Sequence, residues 1–153
     1  EVPVADLCPP AGGIGTLGNG NINSMQMNSN ETRRAADNIR ILVAAMVEKA
    51  KSGHPGGAMG GADFVNILYS EFLNYDPDDP KYPFRDRFFL DPGHMSPMLY
   101  GVLALAGYYS MEDLKQFRQW GSVTPGHPEL DLAHGIENTS GPLGQGHAMA
   151  LGS

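Results

Sequence analysis

The segment that decides the fold reads Arg87-Phe88-Phe89-Leu90-Asp91-Pro92-Gly93-His94. Its first half is short, aromatic and apolar, and its second half is a tight-turn sequence. Together they predict a buried β-strand that runs into a loop. His94 then lies just beyond the carboxyl end of that strand, which is where ligands bind in open α/β sheets. The segment therefore predicts an α/β fold with a functional loop at the end of the strand.

Helical patterns precede this strand. Apolar residues recur at helical spacing over residues 39–50, with Asn28 or Asn30 as a cap and Gly53 as a stop. A second helix is predicted over residues 62–73, before a turn rich in Asp and Pro. One buried strand with helices before it favours a sheet covered by helices.

Helical patterns also follow the strand. Ser96 and Pro97 have the pattern of a helix start, and the helix is expected to run to Gly107. Ser110 with Asp113 has the spacing of a capping box and predicts the start of another helix, with Leu114, Phe117 and Trp120 behind it and Gly121 as its stop. A last helix is expected to begin near Pro142.

Composition limits the function classes. The chain is 41% hydrophobic and 18% charged, as expected of a soluble globular protein. A net charge of -7 argues against nucleic-acid binding, and no apolar run has the length of a membrane span. A single cysteine, Cys8, allows no intrachain disulfide, which suits a reducing compartment. A cytoplasmic protein without nucleic-acid or membrane partners is the resulting expectation.

The first 24 residues differ from the rest and are predicted to be a flexible leader. Met25 and Met27 both have the position of an initiator, so a non-native origin of residues 1–24 is one interpretation. Residues 13–18 match the dinucleotide-binding glycine pattern. That pattern requires a strand before it and a helix after it, and neither is indicated here, so a flexible glycine run is favoured.

Three histidines lie in loops framed by glycine and proline: Ser52-Gly53-His54-Pro55-Gly56-Gly57, Asp91-Pro92-Gly93-His94 and Thr124-Pro125-Gly126-His127-Pro128-Glu129. Such loops can hold an imidazole in a set direction, as proton transfer requires. A histidine metal site is disfavoured because His134 and His147 lack the spacing of a helical zinc pair. These two histidines are expected to face solvent or to pack. The segment Ser140-Gly141-Pro142-Leu143-Gly144-Gln145-Gly146 lets backbone approach a ligand closely, without the lysine of a P-loop.

Taken together, these motifs resemble the transketolase family in order and spacing, from Met27 to Gly152. The matching segments are residues 52–56, 85–88, 93–94, 112–119, 124–129 and 141–146. The resemblance implies that residues 25–153 are the helix-rich N-terminal portion of a thiamine-diphosphate-binding domain, with a parallel sheet flanked by helices. It also implies transfer of a two-carbon ketol unit between sugar phosphates by a homodimer.

The same resemblance implies residue roles. His54 and His127 are expected to contact the sugar and assist proton movement. His94 is expected to hydrogen-bond near the cofactor diphosphate. Gly141 is expected to contact the aminopyrimidine through its backbone, and Leu143 to support the bent cofactor.

The chain departs from the family pattern at Asp91-Pro92, where Ser-Asn is frequent, and at His147, where an aliphatic residue is expected. The Gly-Asp-Gly motif that carries the Mg²⁺ ligands does not occur, so no metal ligand is assigned before Ser153, and these residues alone are expected to be inactive. Dihydroxyacetone synthase, deoxyxylulose-phosphate synthase and a non-catalytic module that kept the fold remain as alternatives.

Overall fold

Helices form the regular structure of residues 29–153, the part of the chain that the computed structural model describes. The predicted leader (residues 1–24), the glycine run at 13–18 and the Asn28 cap lie outside these residues. The α-helices are α1 (Ser29–Ala50), α2 (Pro55–Gly60), α3 (Ala62–Ile67), α4 (Ser96–Leu105), α5 (Met111–Lys115) and α6 (Gln145–Leu151). A π-helical turn at Leu68–Phe72 extends α3, and 3₁₀ turns lie at Gly93–Met95 and Leu132–His134.

The first two predicted helices are confirmed. In α1 the residues at helical spacing, Ile39, Val43 and Met46, are buried, and the helix packs against α2, α3, α4 and α5. It ends where Lys51 and Gly53 take positive φ angles of 51° and 136°. The helix predicted over residues 62–73 is α3 with its π-helical extension.

Helix α2 was not predicted, because three of its six residues are glycine, which disfavours helix by up to about 1 kcal/mol each. Packing explains two of the glycines in this region. A Cβ on Gly57 would lie 3.3 Å from the Met95 side chain, and one on Gly61 would lie 2.6 Å from the sulfur of Met98. Glycine therefore lets this segment approach the start of α4 closely.

Helix α4 is the centre of the core. Every residue from Ser96 to Ala104 is buried, which is typical of a helix covered on all sides. The predicted start is confirmed, although Ser96 is the first helical residue and does not act as the cap. Its hydroxyl instead donates to the Gly126 carbonyl at 2.7 Å, so it holds a neighbouring loop.

The parallel sheet stays a prediction, because residues 29–153 contain no β-strand. A strand is defined by backbone pairing with a neighbour, and residues 87–90 have no such neighbour within the described chain. At Leu90, the buried side-chain amide of Asn138 makes the hydrogen bonds that a neighbouring strand would otherwise make. It accepts from the Leu90 N–H at 3.2 Å and donates to the Leu90 carbonyl at 3.4 Å.

Two local predictions were wrong. Helix α5 ends at Lys115, and Arg118 takes a positive φ of 60°, so helical spacing stops before Trp120. The helix that was predicted to stop at Gly121 is therefore shorter, and Trp120 is fully exposed. Helix α6 begins at Gln145 and not near Pro142, because Gly144 has a left-handed φ of 86° that a right-handed helix cannot contain.

The predicted capping box of α5 is confirmed. The Ser110 hydroxyl accepts from the Asp113 N–H at 3.2 Å, and the Asp113 carboxylate accepts from the Ser110 N–H at 2.8 Å. Hydrogen bonds from the Ser110 hydroxyl and backbone lower the pKa of Asp113. A depressed folded-state pKa stabilises the protein above the unfolded-state pKa, and this contribution is lost as pH falls through the folded-state value.

We expect Ser110→Ala to reduce the free energy of unfolding by about 1 kcal/mol at neutral pH, because one cap is lost. The difference from wild type should shrink in acid, once Asp113 is protonated in both proteins. Chemical denaturation at several pH values measures it. Ser70→Ala is the control, since the exposed Ser70 hydroxyl makes only a long 3.5 Å contact. A pH-independent difference would contradict the role of Asp113.

Candidate functional site

The fold brings the three predicted loop histidines together. His54 is the N-cap residue of α2, His94 lies in the 3₁₀ turn before α4, and their ring centroids are 4.8 Å apart. His127 lies close enough to both for their charges to act on it: burial, then Arg118, His94 and His54 lower the pKa of His127. We call His54, His94 and His127 the histidine cluster.

The loop that carries His127 is fixed on both sides of the imidazole. Before it, the Pro125 carbonyl accepts from the Tyr100 hydroxyl at 2.9 Å, in addition to the bond from Ser96 to the Gly126 carbonyl. After it, the Pro128 carbonyl accepts from the Ser140 N–H at 3.0 Å. The ring itself stays exposed. A rigid loop with an accessible imidazole suits proton transfer to a bound ligand.

The loop that carries His94 touches the glycine motif directly. A Cβ on Gly93 would lie 2.6 Å from the carbonyl oxygen of Ser140, so only glycine fits at this position. The contact places His94 beside the start of the segment 141–146. Two predicted cofactor-binding elements therefore meet.

Gly141 and Leu143 are accessible. A Cβ on Gly141 would meet nothing within 4 Å, so its backbone is open to a ligand. Leu143 is 75% exposed, which leaves little of it packed against other described residues. Gly141 is thus connected to the histidine cluster through Ser140, which lies against Gly93. Leu143 has no such connection among the described residues.

The residues present fit a diphosphate-bearing cofactor. The hydroxyl of Ser140 is buried and has no hydrogen-bond partner among the described residues, and it lies at the junction of Gly93 and Gly141. An unpartnered buried hydroxyl is costly unless a ligand completes it. The same part of the chain contains no group of three or more His, Cys, Asp or Glu side chains placed to hold a metal ion.

Four of the residues that build this site were not predicted as site residues: Ser96, Tyr100, Arg118 and Ser140. Only Ser140 carried a signal, since it begins the glycine motif. The others lie in helical patterns, where polar side chains give no indication of the loop they will support.

The remaining histidines lie apart from the cluster. His134 stacks on Tyr109 at 4.8 Å, with its Nδ1 2.6 Å from an Asp131 carboxylate oxygen, so it packs as predicted. His147 is on the exposed side of α6, and its Nδ1 lies 3.0 Å from Asp91 Oδ2. The side chain of Asp91 is 6% exposed, whereas that of His147 is 83% exposed. The two departures from the family pattern are therefore partners in space.

We expect Asp91 and His147 to be coupled energetically by up to about 1 kcal/mol, since one partner is exposed to solvent. A double-mutant cycle with Asp91→Ser, His147→Ile and the double variant measures this by chemical denaturation. The losses of unfolding free energy in the two single variants should add up to more than the loss in the double variant. Strictly additive costs would show that the two residues are independent.

Comparisons with known proteins identify the family of this chain. The family model for transketolase, thiamine diphosphate binding domain, matches residues 31–153. The chain is 56% identical over 119 residues to a transketolase of Geobacillus stearothermophilus, covering 77% of this chain and 18% of that protein. It is 56% identical over 121 residues to the chloroplastic transketolase-1 of Arabidopsis thaliana, covering 78% and 16%.

Solved structures give the same result. The transketolase of Campylobacter jejuni matches with a TM-score of 0.78 at 48% identity, covering 82% of this chain and 20% of that one. The transketolase of Leishmania mexicana matches with a TM-score of 0.76 at 48% identity, covering 79% and 18%. The chain thus spans about a fifth of the length of these relatives. No helix among residues 29–153 is long and apolar enough to cross a membrane. The chain belongs to the transketolase family, within its thiamine-diphosphate-binding domain.

Proposed function

We propose that this chain is the N-terminal part of the cofactor-binding domain of a full-length transketolase, which transfers a two-carbon ketol unit from a ketose phosphate to an aldose phosphate. The observation that carries the proposal is the convergence of the histidine cluster with Gly93, Ser140 and Gly141. A relative from Pichia stipitis, 42% identical with a TM-score of 0.72, was solved in complex with sedoheptulose-7-phosphate. That complex supports a sugar phosphate as the substrate class.

His54 and His127 would bind and move protons on the sugar. Burial and the neighbouring cationic groups lower the pKa of His127, which favours the neutral imidazole that can accept a proton. His54 and His127 are both exposed and lie in loops that the fold brings together, so both are proposed to reach one ligand. Within the described residues the His54 side chain makes no capping hydrogen bond to α2, which leaves it available to the sugar.

His94 and the Ser140–Gly141 segment would hold the cofactor. His94 is proposed to hydrogen-bond to the diphosphate, Gly141 to contact the aminopyrimidine through its backbone, and Leu143 to support the bent conformation. When bound, thiamine diphosphate supplies the electron sink for cleavage of the carbon–carbon bond. The Mg²⁺ that accompanies the diphosphate would be held by other parts of the full-length protein.

The proposal includes a homodimer in the cytoplasm, with the cofactor between the subunits. The Arabidopsis relative is named as chloroplastic, so compartment varies among the relatives.

Calorimetric titration of the full-length protein with thiamine diphosphate tests the proposal. Micromolar binding is expected with Mg²⁺ and much weaker binding after chelation, because Mg²⁺ compensates the diphosphate charge. The same titration separates an enzyme from a non-catalytic module that kept the fold. Absence of binding in the presence of Mg²⁺ would overturn the proposed function.

A further inference from the structure

Arg118 lies between two loops of the histidine cluster. It takes a positive φ of 60°, and its N–H donates to the Thr124 carbonyl at 3.0 Å. A non-glycine residue in this conformation is uncommon and indicates a local constraint. The turn brings the arginine side chain back from the end of α5 toward the loop that carries His127.

The guanidinium contacts both loops. Its Nη1 donates to the Ser52 hydroxyl at 2.9 Å, two residues before His54. Its Nε packs against Gly126, the residue before His127, where a Cβ would lie only 2.8 Å away. Glycine at 126 therefore leaves the space that the arginine fills. One side chain links the loop of His54 to the loop of His127.

We propose that Arg118 is a positioning residue of the transfer reaction, which ties the His54 loop to the His127 loop and holds a permanent positive charge beside His127. This inference rests on the proposed function. It adds a residue that contacts neither substrate nor cofactor and acts through the two histidines.

The electrostatic part follows from the charges around His127. The groups that act on it are Arg118, His94 and His54, and all three are cationic when protonated. A positive neighbour disfavours the imidazolium form, so it lowers the pKa of His127. Arginine stays charged at every working pH, whereas the two histidines lose their charge as pH rises. Arg118 therefore supplies the part of the positive electrostatic potential at His127 that does not change with pH.

A purely structural role is the competing interpretation. The guanidinium also lies over the Phe117 ring, 5.7 Å from its centroid, and its buried Nε has no hydrogen-bond partner among residues 29–153. Loss of packing would lower stability without moving the pH dependence of the reaction. The pH profile of kcat/KM therefore separates the two interpretations.

Three variants of the full-length enzyme separate the effect of the Arg118 charge on His127 from the effect of its contacts to the two histidine loops. Arg118→Gln removes the charge, Arg118→Lys keeps the charge but loses the planar fork, and Ser52→Ala removes the acceptor alone. We expect the acidic limb of kcat/KM to move to higher pH in Arg118→Gln, because His127 then remains protonated to higher pH. The limb should stay in place in Arg118→Lys and Ser52→Ala, while kcat falls by about tenfold through misplacement of the histidines.

Cofactor affinity, measured by calorimetry, should be unchanged in all three variants. An acidic limb of Arg118→Gln that coincides with wild type would overturn the electrostatic role. Wild-type kcat in both Arg118→Lys and Ser52→Ala would overturn the link, even if Arg118→Gln does not fold. Absence of Mg²⁺-dependent thiamine diphosphate binding by the wild-type full-length protein would instead refute the proposed function, which makes the two failures distinguishable.

Discussion

His127→Ala in the full-length enzyme is expected to lower kcat by about a hundredfold or more, with unchanged affinity for thiamine diphosphate. The reason is that a positioned proton-transfer group typically contributes about a hundredfold to ten-thousandfold in rate. The residues on either side of His127 are held by hydrogen bonds, yet His127 itself is exposed. His54→Ala should have the same effect, because His54 is proposed to act on the sugar as well.

His94→Ala should behave in the opposite way. Gly93 lies against Ser140 at the start of the glycine motif, so His94 is on the side of the cluster where the cofactor is proposed to bind. Losing a charge-assisted hydrogen bond to the diphosphate should weaken cofactor binding by about 1.5–3 kcal/mol. At saturating cofactor, most of the turnover should return.

The measurement is a pair of values for each variant: kcat at saturating cofactor, and the cofactor Kd. His134→Ala is the matched control, since His134 stacks on Tyr109 and pairs with Asp131 outside the cluster, and neither value should change. If His127→Ala keeps full turnover and only binds cofactor more weakly, the division of roles among the three histidines is wrong.

Glu137→Ala is expected to reduce the free energy of unfolding by about 3 kcal/mol or more. The Glu137 carboxylate accepts two hydrogen bonds from Arg85, from Nε at 2.7 Å and from Nη2 at 3.0 Å. Both side chains are largely buried, with 8% of Glu137 and 13% of Arg85 exposed. Removing one partner leaves the other charge uncompensated in a region of low dielectric, which typically costs about 3–5 kcal/mol.

Two comparisons make this prediction specific. Glu48→Ala removes the partner of Lys51, and both of those side chains are about three-quarters exposed, so the change should cost less than about 1 kcal/mol. The double variant Arg85→Leu, Glu137→Leu removes both charges and should recover much of the stability lost by Glu137→Ala. Chemical denaturation measures all three. Equal costs for Glu137→Ala and Glu48→Ala would contradict a buried ion pair.

Local signals predicted the elements that depend on local chemistry. The spacing of Ile39, Val43 and Met46 predicted α1, and the Ser110–Asp113 capping box predicted the start of α5. The glycine and proline residues that frame three loops indicated that the histidines in those loops are functional. In each case the residues that determine the element are close together in the chain.

The features that the sequence did not predict depend on contacts between residues that are distant in the chain. Helix α2 forms from a glycine-rich segment because Gly57 and Gly61 pack against Met95 and Met98. The helix predicted to run to Gly121 ends at Lys115, and Arg118 then takes a left-handed conformation. No local pattern shows such a turn. The hydrogen bonds that join the histidine loops connect residues up to 66 positions apart, which periodicity does not reveal.

The proposed transfer reaction is tested most sharply by following the two transferred carbons. The full-length protein is incubated with a ketose phosphate carrying ¹³C at C1 and C2, an unlabelled aldose phosphate, thiamine diphosphate and Mg²⁺, and the products are analysed by mass spectrometry. We expect a new ketose phosphate, two carbons longer than the acceptor and carrying both labels, which disappears without cofactor and falls steeply in His127→Ala. Label that stays in the donor under these conditions would contradict it.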